Sequence, residues 1–374
     1  MAQIKEHTVL VLQGGGALGA YQAGAYAALS ATGQEPDWVA GISIGAINAA
    51  LICGNAPGNR VAALRNFWGR VSARLPAPIW DTGPLGRMLY GEAAAAAVMA
   101  TGVPGFFKPR YATAFLPDTP NAAISVYDTS PLRDTLLECV DFDYLNTQGP
   151  RLSVGAVDVE TANFVYFDSA KTQITPEHIM ASGALPPGFA PVEIDGRSYW
   201  DGGLVSNTPL QFVMDNLGRD PALIFQMDLF SARDAVPATL ADVAQRQKDI
   251  QYSSRTRLTT DRYRQLHSIR MAANRLAAQL PKDLRDNPDL RALQATGPAC
   301  PITLVELIHR KQGFEGSAKD YEFSRLSMTQ HWDAGEQDVQ RTLSHQDWHS
   351  RVAGQDGLQL FDLGAPTPSK GDRK

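Results

Sequence analysis

Hydrophobic positions in the first 55 residues fall into short runs separated by glycine clusters. Thr8–Leu12 is a β-branched and aliphatic run that stops at Gln13-Gly14-Gly15-Gly16, which predicts a strand and then a glycine loop. Ala17 to Leu29 is rich in good helix formers and closes at Gly33, predicting a helix. Trp38–Ala40 predicts a second strand and Ile44–Ile52 a second helix. Strands alternating with helices imply a parallel sheet covered on both faces.

Residues 56 to 130 carry Pro76, Pro78, Pro84, Pro104, Pro109, Pro117 and Pro120 between short helical runs, including the alanine run Glu92–Ala100. They read as an irregular cap over one face. Strand patterns return at Leu152–Val159, Phe164–Phe167 and Ala222–Asp228. From about Leu240 the character changes. Ala244 to Leu280 has helical periodicity, with Ile250, Leu258, Leu266, Ile269, Ala273 and Leu276 as an apolar stripe. After Pro281 come a polar loop, a strand at Ile302–His309, a helical stretch from Phe323 to about Val352 and a tail expected to be flexible. The predicted organisation is an α/β domain over residues 1–232, a mainly helical extension over 233–355 and a tail over 356–374. No internal repeat is visible.

Composition narrows the function classes. The chain has 374 residues, 34 Lys and Arg against 39 Asp and Glu, and a net charge of −5, which argues against a nucleic-acid binder. The charge is unevenly spread: Arg246, Lys248, Arg255, Arg257, Arg262, Arg264, Arg270 and Arg275 face only Asp249 and Asp261 within the predicted long helix. That stretch has two readings, a helix that docks on an anionic membrane surface and a helix packed on the catalytic domain with a solvated basic face. Cys53, Cys139 and Cys300 form no pairing pattern and read as buried small hydrophobes in a reducing compartment. The longest apolar stretch, Ala40 to Cys53, is too short to span a bilayer, and Val9–Leu12 is too short for a signal peptide. These readings place the protein in the cytoplasm, with peripheral membrane association left open by the basic stretch.

Two glycine motifs carry candidate chemistry. Gly14-Gly15-Gly16-Ala17-Leu18-Gly19 lies between a strand and a helix, where backbone N–H groups precede the first helical turn and can bind an anion or a transient oxyanion. The stretch also fits a dinucleotide-binding fingerprint, but that reading needs an acid at the end of the second strand. Here Glu35 and Asp37 lie before that strand, and the chain has no Tyr-x-x-x-Lys pair. The second motif is Gly41-Ile42-Ser43-Ile44-Gly45. Its glycines permit the sharp turn that presents a serine at a helix N-terminus, the alternative being a turn serine that caps the helix.

A serine nucleophile needs a base. His267, His309, His331, His345 and His349 all fall in helical or strand-like runs and read as surface or packing residues. His331-Trp332-Asp333 reads likewise as packing plus helix surface, and Asp158 with Glu160 as a strand-end turn. Asp201 in Asp201-Gly202-Gly203 is the better partner, its own alternative being an Asp-Gly turn.

Strand–GGGxxG–helix, then GxSxG, then Asp-Gly-Gly about 160 residues later resembles the patatin-like phospholipases. Ala181-Ser182-Gly183-Ala184-Leu185-Pro186-Pro187-Gly188-Phe189-Ala190-Pro191 and Asn207-Thr208-Pro209-Leu210 strengthen the resemblance over residues 8 to about 230. The remainder is similar to the C-terminal extension of a bacterial subgroup, through Phe323-Ser324-Arg325 and His331-Trp332. The resemblance implies a three-layer α/β fold with a mostly parallel sheet and a serine acyl hydrolase acting on carboxylic esters of lipids. It makes Ser43 the nucleophile and Asp201 the general base. Gly14, Gly15, Gly16 and Ala17 form the oxyanion hole, with Gly19, Gly41, Gly45, Gly202 and Gly203 supporting the motifs. Where plant members often carry an arginine this chain has Leu18, so any charge stabilisation by that cation is absent. Acyl transfer to an alcohol and a non-catalytic lipid-binding module are the alternatives. No cofactor is implied and no metal site is legible.

Overall fold

The computed structural model describes residues 5–72, 75, 83–110, 124–281, 284–297, 300–312, 315–316 and 318–363. Pro76, Pro78, Pro117 and Pro120 of the expected cap, and the end of the expected tail from 364 onward, lie outside the described residues. The N-terminal half runs β1 (His7–Leu12), α1 (Ala20–Ala31), β2 (Trp38–Gly41), α2 (Ile44–Cys53), α3 (Pro57–Val71), α4 (Gly83–Thr101), β3 (Lys108–Pro109), β4 (Tyr127–Asp128), α5 (Ser130–Cys139), α6 (Phe142–Thr147) and β5 (Arg151–Asp158). It continues through β6 (Phe164–Asp168), α7 (Pro176–Ser182), β7 (Val192–Ile194), β8 (Arg197–Asp201), α8 (Leu210–Asp215) and β9 (Ala222–Asp228). The remainder is α9 (Leu240–Tyr252), α10 (Thr256–Gln279), α11 (Pro288–Gln294), β10 (Ile302–Ile308), α12 (Arg325–Ser344), α13 (Gln346–His349) and β11 (Leu358–Phe361).

The central sheet has the order β11-β10-β9-β1-β2-β5-β8-β7, with β6 also paired to β5. From β11 to β5 every pairing is parallel, whereas β6, β8 and β7 add antiparallel at the far edge. The core strands are buried on both sides, and that is why β1 and β10 read as nearly continuous apolar runs. Alternate residues of β1 serve opposite faces. Leu10 and Leu12 join a core with α1, α2, α3 and α12, while Val9 and Val11 join one with α8 and Tyr263 of α10. The expected three-layer α/β architecture is therefore present.

The extension is not a layer apart, because β10 pairs with β9 and β11 with β10 inside the same sheet. Leu358–Phe361, expected as tail, is an edge strand. Leu358 packs on one core and Phe361 on the other, so alternation gives the segment two buried faces to satisfy. The expected single helix over Ala244–Leu280 is two, α9 and α10, because the Tyr252 carbonyl accepts from the side chains of Gln13 and Asn207, and Ser254 donates to Asp228 at 2.5 Å. The packed face of α10 is Thr256, Thr260, Tyr263, Arg270 and Ala273, whereas Leu258, Ile269 and Leu276 of the expected apolar stripe are 68%, 38% and 51% exposed. Cys53, Cys139 and Cys300 are free and buried.

Helix α12 lies against α1 at backbone distance. A Cβ on Gly24 would collide with the Trp332 carbonyl and one on Gly335 with the Tyr21 carbonyl, while the Tyr21 hydroxyl donates to Asp338 at 2.7 Å. Overpacking a close-packed contact costs about 1–3 kcal/mol. Gly335→Ala should therefore lower Tm by several degrees in a thermal melt, and Gly58→Ala, where a Cβ meets open space, should leave it within about one degree.

Candidate active site

The glycine loop follows β1 and is held by side chains rather than by helix. Gln13 is fully buried; its Oε1 accepts from the backbone N–H of Leu229 (2.6 Å) and Phe230 (2.8 Å), and its Nε2 donates to Thr208 Oγ1 (2.8 Å) and the Tyr252 carbonyl (3.1 Å). Asn207 Nδ2 donates to the Gly14 carbonyl at 3.0 Å, and the Gly14 N–H donates back to the Asn207 carbonyl at 3.2 Å. The Gly14 N–H is thus already engaged with Asn207. The first turn of the following 3₁₀ segment closes with Leu18 N–H on the Gly15 carbonyl, so the N–H groups of Gly15, Gly16 and Ala17 precede it. Gly16 sits at φ +55°, and a Cβ there would collide with the Asp320 carbonyl, so the position needs glycine on both counts.

Ser43 stands between β2 and α2 with φ 55° and ψ −122°, a left-handed conformation that side chains rarely adopt. A Cβ on Gly41 would collide with the Gly45 carbonyl, and one on Gly45 with the Leu12 carbonyl. Those two approaches force the chain to turn through Ser43 and fix its strain. The Ser43 N–H donates to Ser182 Oγ at 3.0 Å, and Ser182 Oγ donates to the Gly155 carbonyl at 2.7 Å. The elbow is therefore tied to β5 and α7. Gly19 lets the start of α1 approach Ile44 and Trp68.

Asp201 ends β8 opposite Ala156 of β5, which carries it across the sheet to Ser43. Its carboxylate accepts from the Gly203 N–H at 2.7 Å, and the Ser43 hydroxyl is near enough to favour its charged form. Gly202 passes close to the Gly155 carbonyl, where a Cβ would not fit. Asp201 is 2% exposed, and burial pushes its pKa up to about 7, against the lowering effect of its two hydrogen bonds. An acid held there changes protonation state near neutrality.

Ser43, Asp201 and the loop line a cavity of about 150 Å³ whose other walls are mainly apolar, among them Phe106, Phe107, Phe189 and Phe323. Tyr252 and Tyr321 of the extension complete it. Among the described residues no histidine lines it. His309 and His331, expected at the surface or in packing, are both 2% exposed and meet one carboxylate, that of Glu315. His267 is half-buried, its ring stacked with Tyr263, and His345 is exposed at the start of α13. Asp158 accepts from the N–H groups of Glu160 and Thr161, the expected strand-end turn. Asp37 accepts from the Thr8 N–H, and Glu35 pairs with Arg60, so both acids before the second strand hold structure. Gln13, Ser182 and Asn207 were not singled out for these roles from sequence. Ser182 and Asn207 stand inside the two family-like segments, and Gln13 directly precedes the glycine run.

Two family models match this chain. The family described as patatin-like phospholipase matches residues 10–214, and one described as patatin phospholipase matches 250–355. A search of curated proteins finds no match. Among solved structures, VipD from Legionella pneumophila is 15% identical with a TM-score of 0.37, over 88% of this chain and 67% of that one. The type III effector ExoU is 16% identical with a TM-score of 0.29, over 88% of this chain and 53% of that one, so this chain spans about half its length. A heterodimeric ExoU–SpcU complex from Pseudomonas aeruginosa gives 16% identity and a TM-score of 0.28, over 97% and 74%. Likeness at that level carries no weight for chemistry or partners. Among the described residues no helix is long and apolar enough to cross a membrane. With a match over more than half its length, and with both glycine motifs and the aspartate inside that match, the chain belongs to the patatin-like phospholipase family, a family of lipid ester hydrolases.

Proposed function

We propose that the protein cleaves carboxylic ester bonds of lipids through a Ser43–Asp201 dyad and an acyl-enzyme. One observation carries this reading: a serine held at φ 55° on a helix N-terminus shares an apolar-walled cavity with a buried aspartate. Asp201 takes the hydroxyl proton as Ser43 Oγ attacks the carbonyl carbon. The N–H groups of Gly15, Gly16 and Ala17 and the dipole of the following helix receive the developing oxyanion. Collapse breaks the ester C–O bond, and the leaving alcohol takes the proton from Asp201. Water repeats the sequence on the acyl-enzyme and frees the acid. No cofactor enters these steps, and the apolar walls suit an acyl chain.

Losing the base costs roughly 10²–10⁴ in rate. Ser43→Ala and Asp201→Asn should reduce hydrolysis of p-nitrophenyl acyl esters at least a hundredfold with the far-UV circular dichroism unchanged, and Ser43→Ala should lose fluorophosphonate labelling. Full activity in either variant overturns the dyad. Absence of labelling in wild type favours a binding module, and a lipid panel with alcohol acceptors detects acyl transfer.

The base works only as a carboxylate, so kcat/KM should fall as pH drops through about 7. The same raised pKa acts on stability. An acid whose folded pKa exceeds its unfolded value is penalised in its charged form, fully above the folded value and not at all below the unfolded one. Asp201→Asn should therefore have a higher Tm than wild type at pH 8.5, and the gain should shrink as pH falls towards 5.

The exposed face of α10 supports peripheral contact with an anionic membrane. Leu258, Ile269 and Leu276 form an exposed stripe with Arg257, Arg264 and Arg275 along one side and Arg262 along the other. The protein should co-sediment with vesicles containing phosphatidylglycerol and not with pure phosphatidylcholine, and Leu258→Asp with Leu276→Asp should abolish it. Binding that ignores both lipid charge and salt removes this contact.

A further inference from the structure

Two buried histidines converge on one buried glutamate away from the catalytic cavity. His309 directly follows β10, His331 lies within α12, and Glu315 stands on the segment between them; they are 2%, 2% and 8% exposed. His331 Nε2 lies 2.8 Å and His309 Nε2 3.1 Å from the same oxygen, Glu315 Oε1, and one ligand atom from each residue lies within 4.8 Å of the others. We infer that His309, Glu315 and His331 form a binding site for a divalent transition-metal ion of the zinc type, which ties the segment carrying Asp320 and Tyr321 to the sheet and to α12.

The donor set argues for this class of ion. Two imidazoles and one carboxylate suit zinc, and three protein ligands leave a fourth position for water. Bonds of about 2.0–2.2 Å in tetrahedral geometry place neighbouring ligand atoms about 3.3–3.6 Å apart, so His309 must retreat from Oε1 by a few tenths of an ångström and His331 by roughly half an ångström or more. Beside Glu315 and His331 is a cavity of about 20 Å³, room for a single water, which Glu322 also lines. Glu315 Oε2 accepts the Gln312 N–H at 3.1 Å, while two imidazoles from different elements share its Oε1. Neither Nδ1 has a partner, so the shared carboxylate is the polar contact that aims both rings. Arg87 and Lys319 also border the small cavity, but Lys319 pairs with Asp249 at 2.9 Å and Arg87 lies 3.7 Å from Glu322.

The consequence lies in the wall of the catalytic cavity. Asp320 pairs with Lys248 at 2.5 Å, its carbonyl lies against Gly16, and Tyr321 lines the space above Ser43. A metal at Glu315 would hold that wall from behind without touching the dyad, so its role would be structural.

The test uses the full chain, purified without chelator and exposed to zinc chloride and, separately, to cobalt(II) chloride. Expected are close to one equivalent of zinc per chain by elemental analysis, a rise in Tm of several degrees on adding zinc that EDTA reverses, and visible d–d absorption with cobalt(II). His309→Gln with His331→Gln should lose all three responses, while Ser43→Ala should keep them, which separates this site from the hydrolase reading. Wild type that binds no zinc above background and shows neither a Tm response nor a cobalt spectrum overturns the inference, leaving a hydrogen-bonded cluster. So does a full equivalent of zinc retained in the double variant. Should the double variant fail to fold, the wild-type measurements decide alone.

Discussion

The end of the sheet where the chemistry sits is held together by the side-chain amide of Gln13. Buried at the end of β1, it satisfies two backbone N–H groups after β9, the hydroxyl of Thr208 and the carbonyl that ends α9. The two N–H groups belong to an irregular segment that cannot form its own ladder, and each would cost roughly 1–3 kcal/mol if buried unpaired. One residue thus gathers the glycine loop, the segment after Asp201, the end of β9 and the start of the extension. Asn207 repeats the device one shell further out, binding Gly14 in both directions and the same Tyr252 carbonyl. The loop can then present its N–H groups without helical partners because amide side chains have fixed its path.

Against that stiff frame two local costs are held in place. Ser43 occupies a conformation that a side chain resists, and Asp201 is an acid deprived of solvent. Neither would persist on a flexible loop. The glycines at 41 and 45 leave the backbone no other path past the end of β1, and the pairing of β8 with β5 keeps the aspartate buried. A carboxylate and a hydroxyl thereby line one cavity, and no histidine stands among its described walls.

What the sequence disclosed follows the range of the interactions. The elbow, the glycine loop and the Asp-Gly-Gly turn are dictated by steric needs within a few residues, so their glycines announce them. The roles of Gln13, Ser182 and Asn207 depend on partners far away in the chain, and nothing in a glutamine or an asparagine marks which carbonyl it will find. The break between α9 and α10 escaped for the same reason, since periodicity continues through Ser253-Ser254-Arg255 while the interruption comes from Asp228 and Gln13. Periodicity placed Ala273 on the buried side of α10 but missed the threonines, the tyrosine and the arginine that make up the rest of that face. His309, Glu315 and His331 lie on a strand end, an intervening segment and a helix, and only the fold brings them together.

The position of β10 and β11 has a consequence for synthesis. Ser43 and Asp201 leave the ribosome early, but β9 would then be an uncovered edge, and Tyr252 and Tyr321 would not yet wall the cavity. Ile302 of β10 pairs with Ala222 of β9 and Leu358 of β11 with Ile302, non-local contacts that form after local ones. Ser43 and Asp201 are thus made before the tyrosines that enclose them, and the cavity closes only once the segment carrying Tyr321 is in place.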